Sequence, residues 1–177
     1  MTMLQRLTGF FIKQPADPAT AALYSACVAQ ARREEFYRLY GVADTIDGRF
    51  DLLVLHVFLV MRRLGGEGEI KQKLFDLMFA DMDQSLREMG VGDMSIGKRM
   101  RPMIAAFYGR TQAYEKALAQ SGVALSEALA RNLYGGVVQP DALKAMTDYV
   151  RRASSALDTR SLEELRGNRV AFPGFDP

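Results

Sequence analysis

His56 and Cys27 are the chain's single histidine and single cysteine. Brought together, such a pair could supply a nucleophile and its base. Cys27, however, stands among Ala, Tyr and Val at helical spacing, where a small core residue is the usual occupant. His56 lies in "LLVLHVFLVM", residues 52–61, which is apolar at every position but its own. Burial disfavours imidazolium, so the expectation is a structural, neutral ring hydrogen-bonded to another helix. Metal centres draw on several His, Cys or carboxylate ligands, and no second His is available. One cysteine allows neither an internal disulfide nor a thiolate zinc site. Haem on a lone His lacks an attachment motif or a paired ligand. The sequence therefore predicts no metal and no cofactor.

A second chemical candidate is "GVGDMSIGKRM", which reads G-x-x-x-x-G-K from Gly92 to Lys98. A phosphate-binding loop needs Ser or Thr next, to place a hydroxyl on magnesium, and must lie between a strand and a helix. Arg99 holds that position, and the preceding pattern is helical. The match is a decoy. What remains is charge: Lys98, Arg99 and Arg101 crowd the first turns of a helix, where the macrodipole favours anions. They form either a solvated basic face or a docking patch for an acidic segment or lipid phosphates. Asp76, Asp81 and Asp83 on the preceding helix are placed to neutralise part of it. As metal ligands they are poor, since helical spacing splays Asp81 from Asp83.

The elements that must position these residues are helical almost throughout. Asp17 and Pro18 open a helix running toward Arg32, and "REEFYRLYGV" follows as a short piece stopped by Gly41. Asp44 or Thr45 can cap the helix that ends at Gly65 and Gly66. Ile70, Leu74, Met78, Met82, Leu86 and Met89 trace the next stripe. Ser95 can cap another, which Pro102 and Gly109 are expected to kink or break. Leu125, Leu129 and Leu133 mark a further helix, and Leu143 to Leu157 the last long one, beginning near Pro140. Ser161 and Glu164 match a capping box. The fold expected is all-α, a single-domain bundle of about six to seven helices. A short amphipathic segment over residues 1–16 precedes the helical domain at 17–166, and an irregular tail follows at 167–177, pinned by Phe172 and Phe175.

Function classes narrow with composition. Basic and acidic residues number 23 and 21, which gives no case for nucleic acid. The amino terminus "MTMLQRLTGFFIK" is no secretory signal, because Arg6 interrupts it and no small-residue cleavage site follows. Met3, Leu4, Leu7, Phe10 and Phe11 share a helical face that can lie in a lipid interface or pack on its own domain. Residues 52–61 are too short to span a bilayer, which takes about twenty apolar residues. Asp47, Asp51, Leu55, Phe58 and Arg62 fall in one stripe, charged at both ends and apolar between. Two arrangements satisfy it: a helix enclosed at the centre of a bundle, or one whose Leu55–Phe58 side is open to a partner. The expectation is a core helix with that side at least partly available.

Three blocks in order carry a family resemblance: "EFYRLYGVADTIDGRFDLLVLHVFLVMRRL", "LFDLMFADMDQSLREMGVGDMSIGKRMR" and "AAFYGR". Together they resemble the ubiquinol–cytochrome c chaperone family, over roughly residues 20 to 150. The resemblance implies a non-enzymatic, all-helical assembly chaperone. Such a protein holds newly made cytochrome b while haem is inserted and the ubiquinol–cytochrome c reductase is built. It implies no catalytic residues. With no transit peptide ahead of the domain, the chain is similar to bacterial members. That sets the expectation of a cytoplasmic protein, with contact to the inner-membrane surface through the amino-terminal segment left open. Pro102 departs from the ordinary helix former expected after the basic cluster. Chemistry nominates the contact residues: Leu55, Phe58, Arg62 and Arg63 on the apolar helix, and Lys98, Arg99, Arg101 and Arg110 around "GKRMR" and "FYGR". Two rival classes remain: a helical small-molecule or haem-binding module, and a peripheral membrane-binding protein.

Overall fold

The computed structural model describes residues 17–120, 122–167 and 170–175. Among them are eight helices and no strand: α1 (Pro18–Ala31), α2 (Glu34–Arg38), α3 (Ile46–Leu64), α4 (Gly68–Glu88), α5 (Asp93–Leu118), α6 (Ala124–Asn132), α7 (Pro140–Asp158) and α8 (Leu162–Arg166). Two of these, α2 and α8, are five-residue pieces, and the other six form the bundle. The all-α expectation holds.

Local chemistry sets most boundaries. Asp17 Oδ1 accepts from the Thr20 backbone N–H at 3.0 Å and Oδ2 from the Thr20 hydroxyl at 2.9 Å, fixing the start of α1. Thr45 rather than Asp44 caps α3, its hydroxyl accepting from the Gly48 N–H at 3.1 Å. Gly48 is required by close approach, because a Cβ there would stand 2.0 Å from the Ala43 carbonyl oxygen. The Ser161–Glu164 capping box is present in both directions. Helix α5 differs from expectation at two points. It begins at Asp93, with Gly92 as N-cap instead of Ser95, and it continues through Pro102 and Gly109 as one helix of 26 residues. Pro102 is exposed, so the Lys98 carbonyl that it leaves without an N–H partner is open to water.

Helix α3 is the centre, packed by α1, α4, α5 and α7. Every residue from Phe50 to Val60 is buried. A helix apolar on all sides has this solution available only when neighbours surround it. Helices α4 and α5 form a pair joined by a short turn, and α6 and α7 close the other side. The tail is pinned as expected: Phe172 meets the His56 ring edge-on at 5.0 Å, and Phe175 packs 4.7 Å from Phe36 and 6.0 Å from Tyr149.

Candidate partner-binding surface

His56 is part of the fold. Its Nδ1 lies 2.8 Å from the Leu52 carbonyl and its Nε2 lies 2.8 Å from the Tyr149 hydroxyl. A carbonyl only accepts, so Nδ1 carries the proton and Nε2 accepts from Tyr149. The Tyr149 oxygen in turn accepts from Gln30 Nε2 at 3.1 Å. One buried chain of hydrogen bonds thus ties α1, α7 and α3 together. Desolvation pushes the imidazole pKa down to about 4, so the ring is neutral. With both nitrogens occupied it offers no lone pair to a metal or haem iron. Cys27 is fully buried, and burial pushes its thiol well above the ordinary range, as a core residue requires.

Four of the eight nominated contact residues are also committed to the fold. The expectation that the Leu55–Phe58 side stands open is corrected: Leu55 is fully buried and Phe58 is 4% exposed. Phe58 packs on Tyr114 of α5, with ring centroids 5.7 Å apart. Arg63 Nε donates to the Leu157 carbonyl at 3.1 Å, and its Nη2 donates to the Arg160 carbonyl. It thereby ties the end of α3 to the turn that follows α7, where the Leu157 carbonyl also accepts from the Arg160 N–H at 3.0 Å. Arg110 pairs with Asp51 at 2.9 Å and donates to the Asn132 carbonyl at 3.1 Å, joining α5 to α3 and to the end of α6. Burial pushes the Asp51 carboxyl up to about 6 against the opposing pull of Arg110. Arg62 is intermediate. It donates to Ser154 at 3.1 Å and pairs with Asp158 at 3.3 Å, but lies on the rim of a groove.

That groove, about 500 Å³ and open to solvent, lies between α3, α4 and α5. Phe58, Met61, Phe107 and Tyr108 supply its apolar lining, and Arg62, Lys71 and Glu115 its charges. Tyr108 is 47% exposed and stacks on Phe75 at 5.6 Å. Here α3 reaches the surface at one edge, through the half-buried Met61 and Arg62. Sequence reasoning missed Met61 and Tyr108. The adjacent aromatics in "FYGR" were the available signal, since consecutive helical residues cannot both face the core.

Lys98, Arg99 and Arg101 are exposed, with no ion pair or hydrogen bond among the described residues. The neutralisation expected from α4 is corrected. Asp76 accepts from Gln72 at 2.8 Å, Asp81 from the Tyr24 hydroxyl at 2.6 Å, and Asp83 from Arg87 at 2.7 Å. Gly97 and Lys98 sit inside α5 with α4 ahead of them, so no phosphate-binding loop is formed. Met94, Lys98, Arg101, Ala105, Tyr108 and Gln112 recur at three- and four-residue spacing along the outer face of α5. The basic stretch and the groove wall therefore share one side of one helix.

Comparison with known proteins gives the family in which this architecture occurs. Residues 38–172 match the family described as Ubiquinol-cytochrome C chaperone. The crystal structure of the Cbp3 homolog from Brucella abortus superposes with a TM-score of 0.79 at 35% identity, covering 90% of this chain and 91% of that one. Ubiquinol-cytochrome-c reductase complex assembly factor 1 of Xenopus laevis is 28% identical over 152 residues, 83% of this chain and 76% of that protein. The Homo sapiens factor of that name is likewise 28% identical over 152 residues, but the match spans only 51% of its length. From this match, and from the architecture that accompanies it, the chain belongs to the ubiquinol–cytochrome c chaperone family.

Proposed function

We propose that this chain is a non-enzymatic chaperone for assembly of the ubiquinol–cytochrome c reductase, and that its client is newly made cytochrome b. The client presents an apolar segment to the groove between α3, α4 and α5, whose charged rim is Arg62, Lys71 and Glu115. The chain works at the cytoplasmic face of the inner membrane. No helix among the described residues is long and apolar enough to cross a bilayer, so membrane contact is peripheral in this reading. The observation that carries the proposal is the groove itself, where Phe58, Met61, Phe107 and Tyr108 meet inside a rim of Arg62, Lys71 and Glu115. An apolar floor with a charged rim suits a transmembrane protein's hydrophobic segment and its polar flanks.

Tyr108→Asp tests it. Half-exposed, Tyr108 can be replaced without burying a charge, so circular dichroism should show an intact fold. Cytochrome b co-purifying with the tagged protein should fall at least tenfold, and cytochrome b accumulation should fall with it. Undiminished capture by a folded Tyr108→Asp protein would place the client elsewhere.

A further inference from the structure

We infer that the tip of the α4–α5 pair is the surface that seats this chain on an anionic lipid bilayer. The inference deepens the reading above, since it rests on the chaperone working at the inner-membrane surface. Met89 and Met94 flank the turn between the helices and are 51% and 89% exposed. Lys98 and Arg101 follow on the face of Met94, about 6 and about 10 Å further along the axis at 1.5 Å per residue. From Asp93 to Glu115 there is no intervening acidic residue, while Lys98, Arg99, Arg101 and Arg110 all fall between them. The acids nearest the tip are engaged: Asp83 and Asp93 pair with Arg87, and Glu88 accepts from Gln84.

Exposed thioethers beside unpaired cations match the two layers of a bilayer interface. Methionine enters the acyl boundary, and Lys and Arg extend their apolar stems to hold the charge at the phosphates. Shape favours a lipid plane over an acidic peptide at this spot. The tip is a turn between two helices with side chains projecting outward, and the α5 residues that line the groove begin only at Phe107. Nothing among the described residues repays placing cations near the amino-terminal end of α5, where the helix dipole opposes them. Each basic side chain at an anionic surface strengthens binding about fivefold, or about a hundredfold for three.

Flotation of the full chain with vesicles decides the matter. Phosphatidylcholine vesicles with and without phosphatidylglycerol, at low and high salt, are compared for the parent protein and five variants. The parent should bind only the anionic vesicles, and less at high salt. Lys98→Glu/Arg99→Glu/Arg101→Glu should lose about a hundredfold in binding, and Met94→Asp should lose a smaller factor. Arg131→Glu, an exposed reversal on α6, should bind as the parent does. If the parent ignores anionic vesicles, or if the triple reversal binds them unchanged, the inference is overturned. If Leu7→Asp/Phe10→Asp abolishes binding while the triple reversal does not, the amino-terminal segment is the lipid contact and the inference again fails. A triple reversal that keeps vesicle binding but loses cytochrome b assigns the cluster to the client, which also overturns it. Tyr108→Asp keeps the two readings apart: it should lose cytochrome b and keep its vesicles.

Discussion

Helix α3 and the first half of α5 both carry arginines beside apolar residues, yet they use them in opposite ways. On α3 each such group is engaged within the chain. Arg63 donates to carbonyls at the end of α7, Arg62 to Ser154 and Asp158, and Asp51 holds Arg110. On α5, Lys98, Arg99 and Arg101 have no partner among the described residues and Met94 stands in solvent. The sequence pattern is similar; the partnering is not. A charge bonded to buried backbone is part of the fold, and removing it leaves an orphan. An exposed charge with no partner contributes little to stability, so it is free to serve something outside.

The sharpest way to break this contrast is Phe58→Asp. Phe58 is enclosed against Tyr114, so a carboxylate there has no partner and should destabilise the protein by about 4 kcal/mol or more, abolishing the cooperative melt. A folded Phe58→Asp protein would show that the groove opens to its floor.

Next in size is His56→Ala, which leaves a cavity and strips Tyr149 of its acceptor. It should cost about 2–4 kcal/mol in a denaturant titration. A cycle with Tyr149→Phe should show coupling, because the two share one hydrogen bond. The pH dependence has a defined sign. The folded imidazole is held at about 4, below its ordinary 6.5, so its contribution is complete above about 6.5 and lost as pH falls toward about 4. Asp51 opposes it in the same window. Its folded pKa of about 6 lies above the ordinary 3.8, which costs stability as pH rises between those values. The stability gap between the parent and His56→Asn isolates the histidine, and it should shrink steadily from pH 6.5 to pH 4.

Tyr114→Phe should be milder still. The Tyr114 hydroxyl is buried with no hydrogen-bond partner among the described residues, so its loss should change stability by less than about 1 kcal/mol. At the far end, reversing Lys98, Arg99 and Arg101 should leave stability within about 0.5 kcal/mol of the parent. A large loss there would mean that the α5 cations are structural after all, and the contrast would collapse.

Much of the fold was legible because periodicity and caps are local. The stripe of α4, Thr45 before α3 and the box at Ser161 are each read within a few residues. The family was legible from long blocks for the same reason. Partnering was not, because it is made across the chain. Arg63 finds its carbonyls more than ninety residues away, as does His56 its tyrosine. Asp81 is drawn off by Tyr24 of α1 rather than by the neighbouring cations, which no helical wheel shows. The start of α5 was misread because Ser95 is the better N-cap by type, while the backbone turn at Gly90, with φ +82, delivers the chain to Gly92.

The unbroken course of α5 has a dynamic consequence. Gly97 and Gly109 have open space around their Cβ positions, so nothing in the chain demands their smallness. Each lowers helix stability by about 1 kcal/mol relative to alanine, and Pro102 removes one backbone hydrogen bond between them. The first half of α5 is thus a helix kept in shape mainly by tertiary packing, through the buried Ile96 and Met100. Its backbone amides should exchange with deuterium orders of magnitude faster than those of Phe50 to Val60, by openings that leave the centre intact. Gly97→Ala and Gly109→Ala should slow that exchange. The end of the molecule proposed to meet the bilayer is then also the end able to change shape as it does so.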